Sequence, residues 1–215
     1  MAWSRIRNRS QSWLPLPLAR AGVGLFLFLF PLTASAQYNI KKLMEEGRST
    51  LDAGYYVASM QIFNRVVSLK PRLYEAWYLM ALSKYHLDDY DGVEQDCSEA
   101  IKLNPYVTEI YDLRAMARIQ TEHFDSAAVD YTHAIDLQPD NHDYWYNRAY
   151  CYYRGGQNVL AVEQLEYITK RWANFTQAET LLREVKSGRK PQNGKGRWID
   201  SRRTRFVIKK NDLKL

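Results

Sequence analysis

The sequence contains none of the short motifs that mark a catalytic or metal site. It has no glycine-rich phosphate loop, no His-Glu-x-x-His helix, no nucleophile-elbow spacing and no paired cysteine ligands. Its four histidines, His86, His123, His133 and His142, are not at metal-site spacing with a carboxylate partner. We therefore expect a protein that is not an enzyme and that needs no cofactor and no bound metal.

Glycine and cysteine are both scarce. The chain of 215 residues contains 10 glycines and 2 cysteines. Because it lacks glycine-rich turns and is rich in helix-forming residues, we expect an all-α fold. Cys97 and Cys151 stand a whole structural unit apart in the repeat described below, whereas a disulfide needs Cα atoms within about 7 Å. We expect two separate, buried thiols.

Acidic residues are absent from the first 36 positions, which contain four arginines. The arginines are followed by an apolar run over residues 21–32 and by small residues at 34–36, a pattern typical of a cleaved secretory signal. The run is short for a bilayer span, which needs about 20 apolar residues. The pattern predicts a signal peptide over residues 1–36, export to the periplasm or cell envelope, and no transmembrane helix in the mature chain. An uncleaved membrane anchor is the alternative.

Two consecutive units of 34 residues, from Tyr74 to Asn141, carry the same residue types at the same offsets. A period of this length, without strand-like alternation, is typical of stacked helical hairpins. Weaker copies of the pattern extend in both directions, although the last one has Ala173 where proline is due. The matching pairs are Trp77 and Tyr111, Ala81 and Ala115, Tyr90 and Phe124, Cys97 and Tyr131, Ala100 and Ala134, Leu103 and Leu137, and Pro105 and Pro139.

These units resemble the tetratricopeptide repeat family. Its pattern has an aromatic residue at position 4, Gly or Ala at 8, a small residue at 20, an aromatic residue at 24, Ala at 27 and Pro at 32. The resemblance covers residues 40 to about 175. It implies a right-handed α-solenoid of about four helix-turn-helix repeats with a C-terminal capping helix. The repeats are expected at residues 38–73, 74–107, 108–141 and 142–175, and the capping helix at 176–186.

The resemblance also implies a scaffold that binds a protein or peptide. In this family the ligand usually lies along the concave groove, which is formed by positions 2, 5, 9, 12 and 13 of each first helix. An apolar lining with an acidic edge suits an extended peptide or an amphipathic helix that has apolar anchors and some positive charge. Consensus packing without a dedicated ligand is the alternative. The predicted groove residues are Tyr78, Tyr85, Asp112, Met116, Tyr146, Tyr150 and Tyr153.

One specialised kind of ligand is not expected. Family members that bind chaperone tails hold a terminal carboxylate with a clamp of Lys, Asn and Arg. In this chain Glu75, Glu109 and Asp143 occupy the position where such a lysine is required. We therefore expect no binding of eukaryotic-type chaperone tails.

The composition changes at residue 187. Residues 186–215 contain 11 Lys and Arg against 2 acidic residues, whereas residues 37–185 contain 15 against 22. Apolar clusters occur there only at 198–199 and 206–208. We predict a flexible basic tail over residues 187–215. The alternative function is an envelope-surface adaptor whose tail binds anionic lipid or polysaccharide; nucleic acid is not an expected partner of an exported chain. A shortened or frame-altered gene is another interpretation of the tail.

Overall fold

A computed structural model describes residues 40–191 and 198–199. The predicted signal peptide and most of the predicted tail lie outside these residues. The chain divides into two compact units, Met1–Lys41 and Lys42–Leu215. The second unit contains the helical fold, and its first residues, from Lys42 onward, belong to the first helix.

Within the described residues the chain forms helices joined by short turns, without strands. Consecutive helices pack against each other from α2 to α9, and contacts between helices further apart are few. This arrangement confirms the predicted all-α solenoid of four helical hairpins followed by a single capping helix. The helices are α1 (residues 40–52), α2 (Tyr56–Leu69), α3 (Tyr74–Tyr85), α4 (Tyr90–Leu103), α5 (Thr108–Gln120), α6 (Phe124–Leu137), α7 (His142–Arg154), α8 (Asn158–Arg171) and α9 (Thr176–Lys186).

Small residues let the two helices of each hairpin approach closely. In the first hairpin, a Cβ atom on Gly47 of α1 would lie 2.6 Å from Cε1 of Phe63 on α2. Phe63 is itself fully buried, so the ring has no room to move away. The residues at positions 8 and 20 of the next three repeats are all inaccessible to solvent: Ala81 and Val93, Ala115 and Ala127, and Ala149 and Ala161.

The turn inside each hairpin has a left-handed residue at the same offset. These residues are Gly54, Asp88, Glu122 and Gly156, with φ angles of 84°, 59°, 62° and 80°. Of the acidic residues in these turns, Asp89 supports the start of a helix, because its carboxylate accepts a hydrogen bond of 3.1 Å from the Gly92 N–H. Asp88 and Glu122 instead occupy the left-handed position, which disfavours residues with a Cβ atom.

Two tryptophans at position 4 link neighbouring repeats. The indole N–H of Trp77 donates a 2.8 Å hydrogen bond to the carbonyl of Pro71, and Trp145 makes the same 2.8 Å bond to Pro139. Each proline ends one repeat and each tryptophan opens the next repeat. The indole therefore satisfies a carbonyl group that no longer has a helical partner.

Each of the last three hairpins also contains a buried polar contact at one shared offset. Asp96 on α4, Asp130 on α6 and Gln164 on α8 are buried at this offset. Asp96 pairs with Lys84 at 2.7 Å, and Gln164 accepts a 2.8 Å hydrogen bond from Arg148. Buried polar groups need such partners, because an unpaired one carries its full desolvation penalty.

Candidate peptide-binding groove

The predicted groove residues lie on three first helices, α3, α5 and α7. Only Tyr78 is partly exposed; the other six side chains are buried. The predicted face is thus covered by protein atoms along most of its length. The residues are Tyr78 and Tyr85 on α3, Asp112 and Met116 on α5, and Tyr146, Tyr150 and Tyr153 on α7.

Two of the tyrosines on α7 are fixed by aromatic and cationic neighbours. The Tyr146 ring lies 5.5 Å from the Phe175 ring, between centroids. The Tyr150 hydroxyl accepts a 3.0 Å hydrogen bond from Arg154. The same guanidinium lies over the Phe124 ring at 4.6 Å, a cation–π contact between the third and fourth hairpins. This part of the face is rigid and preorganised.

The centre of α7 carries a side chain that contacts a backbone segment far along the sequence. Nδ2 of Asn147 donates to the Ile199 carbonyl at 3.0 Å, and the Ile199 N–H donates to Oδ1 of Asn147 at 2.8 Å. The amide therefore satisfies both polar backbone groups of one residue. This is the pattern that two residues share in a hydrogen-bonded pair of an antiparallel ladder.

Tyr131 on α6 contacts the Asn147 amide and helps to fix its orientation. Nδ2 of Asn147 also donates to the Tyr131 hydroxyl at 3.2 Å, and both side chains are buried. Burial raises the pKa of Tyr131 well above its ordinary value, and the Asp112 carboxylate raises it further. The phenol is therefore neutral at physiological pH. Its oxygen accepts the Asn147 hydrogen bond and so helps to hold the amide in place.

The chain that follows α9 makes a second backbone contact with α7. The Tyr153 hydroxyl donates a 2.7 Å hydrogen bond to the Arg189 carbonyl. Trp198 and Ile199 are half-buried, and both pack against the apolar core formed by α5 to α9. Three residues of the segment predicted to be a flexible tail thus contact the folded repeats; residues 192–197 and 200–215 lie outside the described part.

Asn147 was not among the predicted groove residues, because it occupies position 6 of its repeat. Two signals could have identified this contact. One is an amide on α7 between Tyr146 and Tyr150, in a buried aromatic face. The other is the apolar pair of Trp198 and Ile199 in a segment that is otherwise polar and basic.

Comparisons with known proteins agree with this architecture. Residues 113–179 match the family model described as tetratricopeptide repeat. A crystal structure of MamA protein superposes with a TM-score of 0.60 at 18% identity, covering 64% of this chain and 75% of that one. The fold is that of a tetratricopeptide-repeat solenoid. The helical hairpins described above are its repeats, and α9 is the helix that covers the last of them.

Two further tetratricopeptide structures have the same fold. MamA 41-end from Desulfovibrio magneticus RS-1 gives a TM-score of 0.57 at 18% identity and covers 61% of this chain and 74% of that one. The Arabidopsis OM64 TPR domain gives 0.52 at 19% identity, with 54% and 96% covered. No curated protein matches this sequence. At these identities the similarity concerns the fold alone.

The described residues show few features of a reactive or membrane-spanning protein. Residues 40–191 and 198–199 hold no group of three His, Cys, Asp or Glu side chains placed to bind a metal ion. In the same residues, no helix has the length and apolar character needed to cross a membrane. Cys97 and Cys151 are buried thiols, as expected. Burial raises the pKa of Cys151 far above its ordinary value, which makes this thiol a poor nucleophile.

Proposed function

We propose that this protein is a non-enzymatic scaffold whose α3, α5 and α7 face binds an extended peptide segment. The observation that carries the proposal is the double hydrogen bond between the Asn147 amide and the Ile199 backbone, at 3.0 and 2.8 Å. In this contact a side chain of α7 binds another segment of the protein through that segment's main-chain N–H and C=O groups. Such contacts supply affinity for many sequences, while neighbouring side chains supply specificity.

The double hydrogen bond favours an extended ligand over a helical one. In the interior of an α-helix, the N–H and C=O groups of a residue are already bonded within the helix. They are not free to pair with a single side-chain amide. In an extended segment both groups of one residue are available on the same side. We therefore narrow the expected ligand from a peptide or helix to an extended peptide.

Charge and apolar surface define the rest of the ligand. The first helices contribute buried Tyr and Met side chains, together with the half-buried carboxylates of Glu75, Glu109 and Asp143. Residues 37–185 have an excess of acidic residues, 22 against 15 basic ones. These features favour a peptide with apolar anchors and a positive charge.

The test is a peptide selection on the immobilised full chain. Random peptides are selected, and their affinities are then measured for the wild type and for Asn147→Asp. This isosteric change removes the Nδ2 donor and places a carboxylate oxygen against the ligand carbonyl, so we expect affinity to fall at least about tenfold. Asn64→Asp, at an exposed position on α2, is the matched control. Peptides that bind wild type and Asn147→Asp equally would contradict the assigned role of the Asn147 amide in holding the ligand.

The proposal includes export from the cytoplasm. It rests on the arginines, the apolar run and the small residues of positions 1–36. Fractionation of cells that express the full chain with a C-terminal tag tests it. A tag found only in the cytoplasm, at the mass of the uncleaved chain, would contradict export.

A further inference from the structure

Two residues after α9, Arg189 and Ile199, contact α7, one of the helices to which the proposed function assigns a peptide. The two backbone contacts lie at Arg189, held by Tyr153 at 2.7 Å, and at Ile199, held by Asn147. Tyr153 is near the end of α7 and Asn147 is near its middle. The contact at Ile199 therefore lies nearer the N-terminus of α7 than the contact at Arg189 does.

The contacts at Ile199 involve side chains as well as backbone. Trp198 and Ile199 both pack against the buried cluster of α5 to α9, which includes Tyr144, Tyr146 and Tyr150. The two residues are the one apolar pair in the otherwise polar sequence from Gln192 to Thr204. Both parts of a peptide ligand, a hydrogen-bonded backbone and apolar anchors, are present in this pair.

The charges of the two parts are complementary. Residues 186–215 carry 11 basic residues against 2 acidic ones, and residues 37–185 carry 22 acidic residues against 15 basic ones. A basic segment tethered to an acidic body is attracted to it, and the attraction weakens with salt. The tether also gives the segment a high effective concentration, on the order of millimolar for a short linker.

We propose that Trp198 and Ile199 are a built-in ligand of the groove, which an external partner must displace. The proposal rests on the proposed function, since it assigns the regulation of that same site. It also defines the partner: an extended peptide that offers a large aromatic residue followed by a β-branched aliphatic one, with basic residues nearby. The affinity of the groove for such a peptide is reduced by the fraction of molecules in which the segment is bound.

The first measurement is hydrogen exchange at the Ile199 amide in the full chain, followed by NMR after isotopic labelling of isoleucine. In the wild type this amide donates to Asn147, so we expect exchange at least about tenfold slower than in an unstructured peptide. Asn64→Asp is expected to leave this protection unchanged. A saturating concentration of the peptide Arg-Trp-Ile-Asp, which has the sequence of residues 197–200, is expected to remove the protection. Exchange at the unstructured rate in the wild type would overturn the proposal.

The second measurement compares peptide affinity between two variants of Ile199. Ile199 lies outside the helices of the described residues. Ile199→Pro removes the N–H that bonds to Asn147, whereas Ile199→Val keeps both the N–H and an apolar side chain. We expect Ile199→Pro to bind labelled Arg-Trp-Ile-Asp at least about tenfold more tightly than the wild type, and Ile199→Val to bind like the wild type. Thermal melts of both variants check that the repeats are intact.

The outcomes separate this inference from the proposed function. Equal affinity of wild type and Ile199→Pro, with loss in Asn147→Asp, would overturn self-occupancy and leave the groove as a peptide site. No binding of Arg-Trp-Ile-Asp to Ile199→Pro would overturn the partner chemistry and the built-in ligand together. The peptide selection described above would then decide the proposed function independently.

Discussion

Arg114 and Asp130 form a two-bond ion pair between α5 and α6, with Nε–Oδ2 and Nη2–Oδ1 distances of 3.1 and 2.6 Å. Arg118 adds a third bond to Asp130, at 2.8 Å, and the Asp130 side chain is inaccessible to solvent. The two guanidinium groups compensate the charge of a carboxylate that burial has removed from solvent. Removing the Asp130 carboxylate alone would therefore leave buried positive charge in the third hairpin without compensation.

Replacing Asp130 by Ala is expected to lower the free energy of unfolding by about 3–5 kcal/mol, because it leaves the largely buried guanidinium of Arg114 without its carboxylate, whereas Arg118 keeps its 2.6 Å pair with Glu94. Urea denaturation followed by circular dichroism measures the change. Glu99→Ala is the control, since its exposed pair with Lys102 at 2.6 Å should contribute no more than about 0.5 kcal/mol. Similar losses for the two variants would contradict the assigned role of Asp130.

Asp96 gives a pH-dependent prediction. Burial raises its pKa above the ordinary value, and the bond to Lys84 offsets this only in part. The folded state therefore takes up the proton at a higher pH than the unfolded chain, whose aspartate titrates near roughly 3.9. The stabilisation by this proton is complete below the unfolded pKa and is lost as pH rises through the raised folded pKa.

The wild type should accordingly gain stability relative to Asp96→Asn as the pH falls from 7 to 4. Urea denaturation of both proteins at several pH values in this range gives the difference in unfolding free energy. Asp96→Asn removes the titrating group and leaves a side chain of nearly the same shape. A difference that stays constant, or that grows toward pH 7, would contradict the raised pKa.

The shared left-handed turn position predicts opposite effects on stability for two substitutions. Glu122→Gly removes a Cβ atom from a residue with φ of 62° and should stabilise the protein by about 0.5 kcal/mol. Gly156→Ala introduces a Cβ atom at φ of 80°, where no other atom lies within 4 Å, and should destabilise by about 1 kcal/mol. Thermal denaturation of both variants is the measurement. Effects of the same sign would show that backbone conformation does not dominate at this position.

The alternative function, attachment to an anionic surface by the basic tail, differs from groove binding in its salt dependence. Binding of the full chain to vesicles that contain anionic lipid should be lost near ~0.5 M salt if it occurs through the tail. Binding of the selected peptides through apolar anchors should largely survive this concentration. Neutral vesicles are the control. Vesicle binding that persists in high salt would exclude an electrostatic tail contact.

Local periodic features could be predicted from the sequence, and contacts between distant segments could not. The 34-residue period predicted the hairpins because each repeat imposes the same spacing on small residues such as Ala115 and Ala127. The contact between Asn147 and Ile199 joins a repeat to a segment without periodicity, so the 34-residue pattern does not predict it, and one hint in the sequence is the apolar pair of Trp198 and Ile199 in a basic segment. The contacts of Tyr153 likewise reach chain beyond the repeats, since its hydroxyl bonds to the Arg189 carbonyl.

The charge pairs were missed for a different reason. Asp96 and Asp130 stand at the same offset of their repeats, but Gln164 takes the place of a carboxylate in the fourth repeat. An incomplete pattern of polar residues on a helix is indistinguishable from an exposed face unless burial is known. Their partners, such as Lys84 and Arg114, lie on a different helix of the hairpin.

The packing of each helix mainly against its chain neighbours has a mechanical consequence. In such an array a pulling force passes through the helix interfaces in series, so every interface carries the same load and the weakest one yields first. The hairpins can then separate one at a time. The hydrogen bonds between Asn147 and Ile199 carry load in parallel with the helix interfaces of the last hairpin. They must therefore break before a force applied beyond Ile199 can unfold that hairpin.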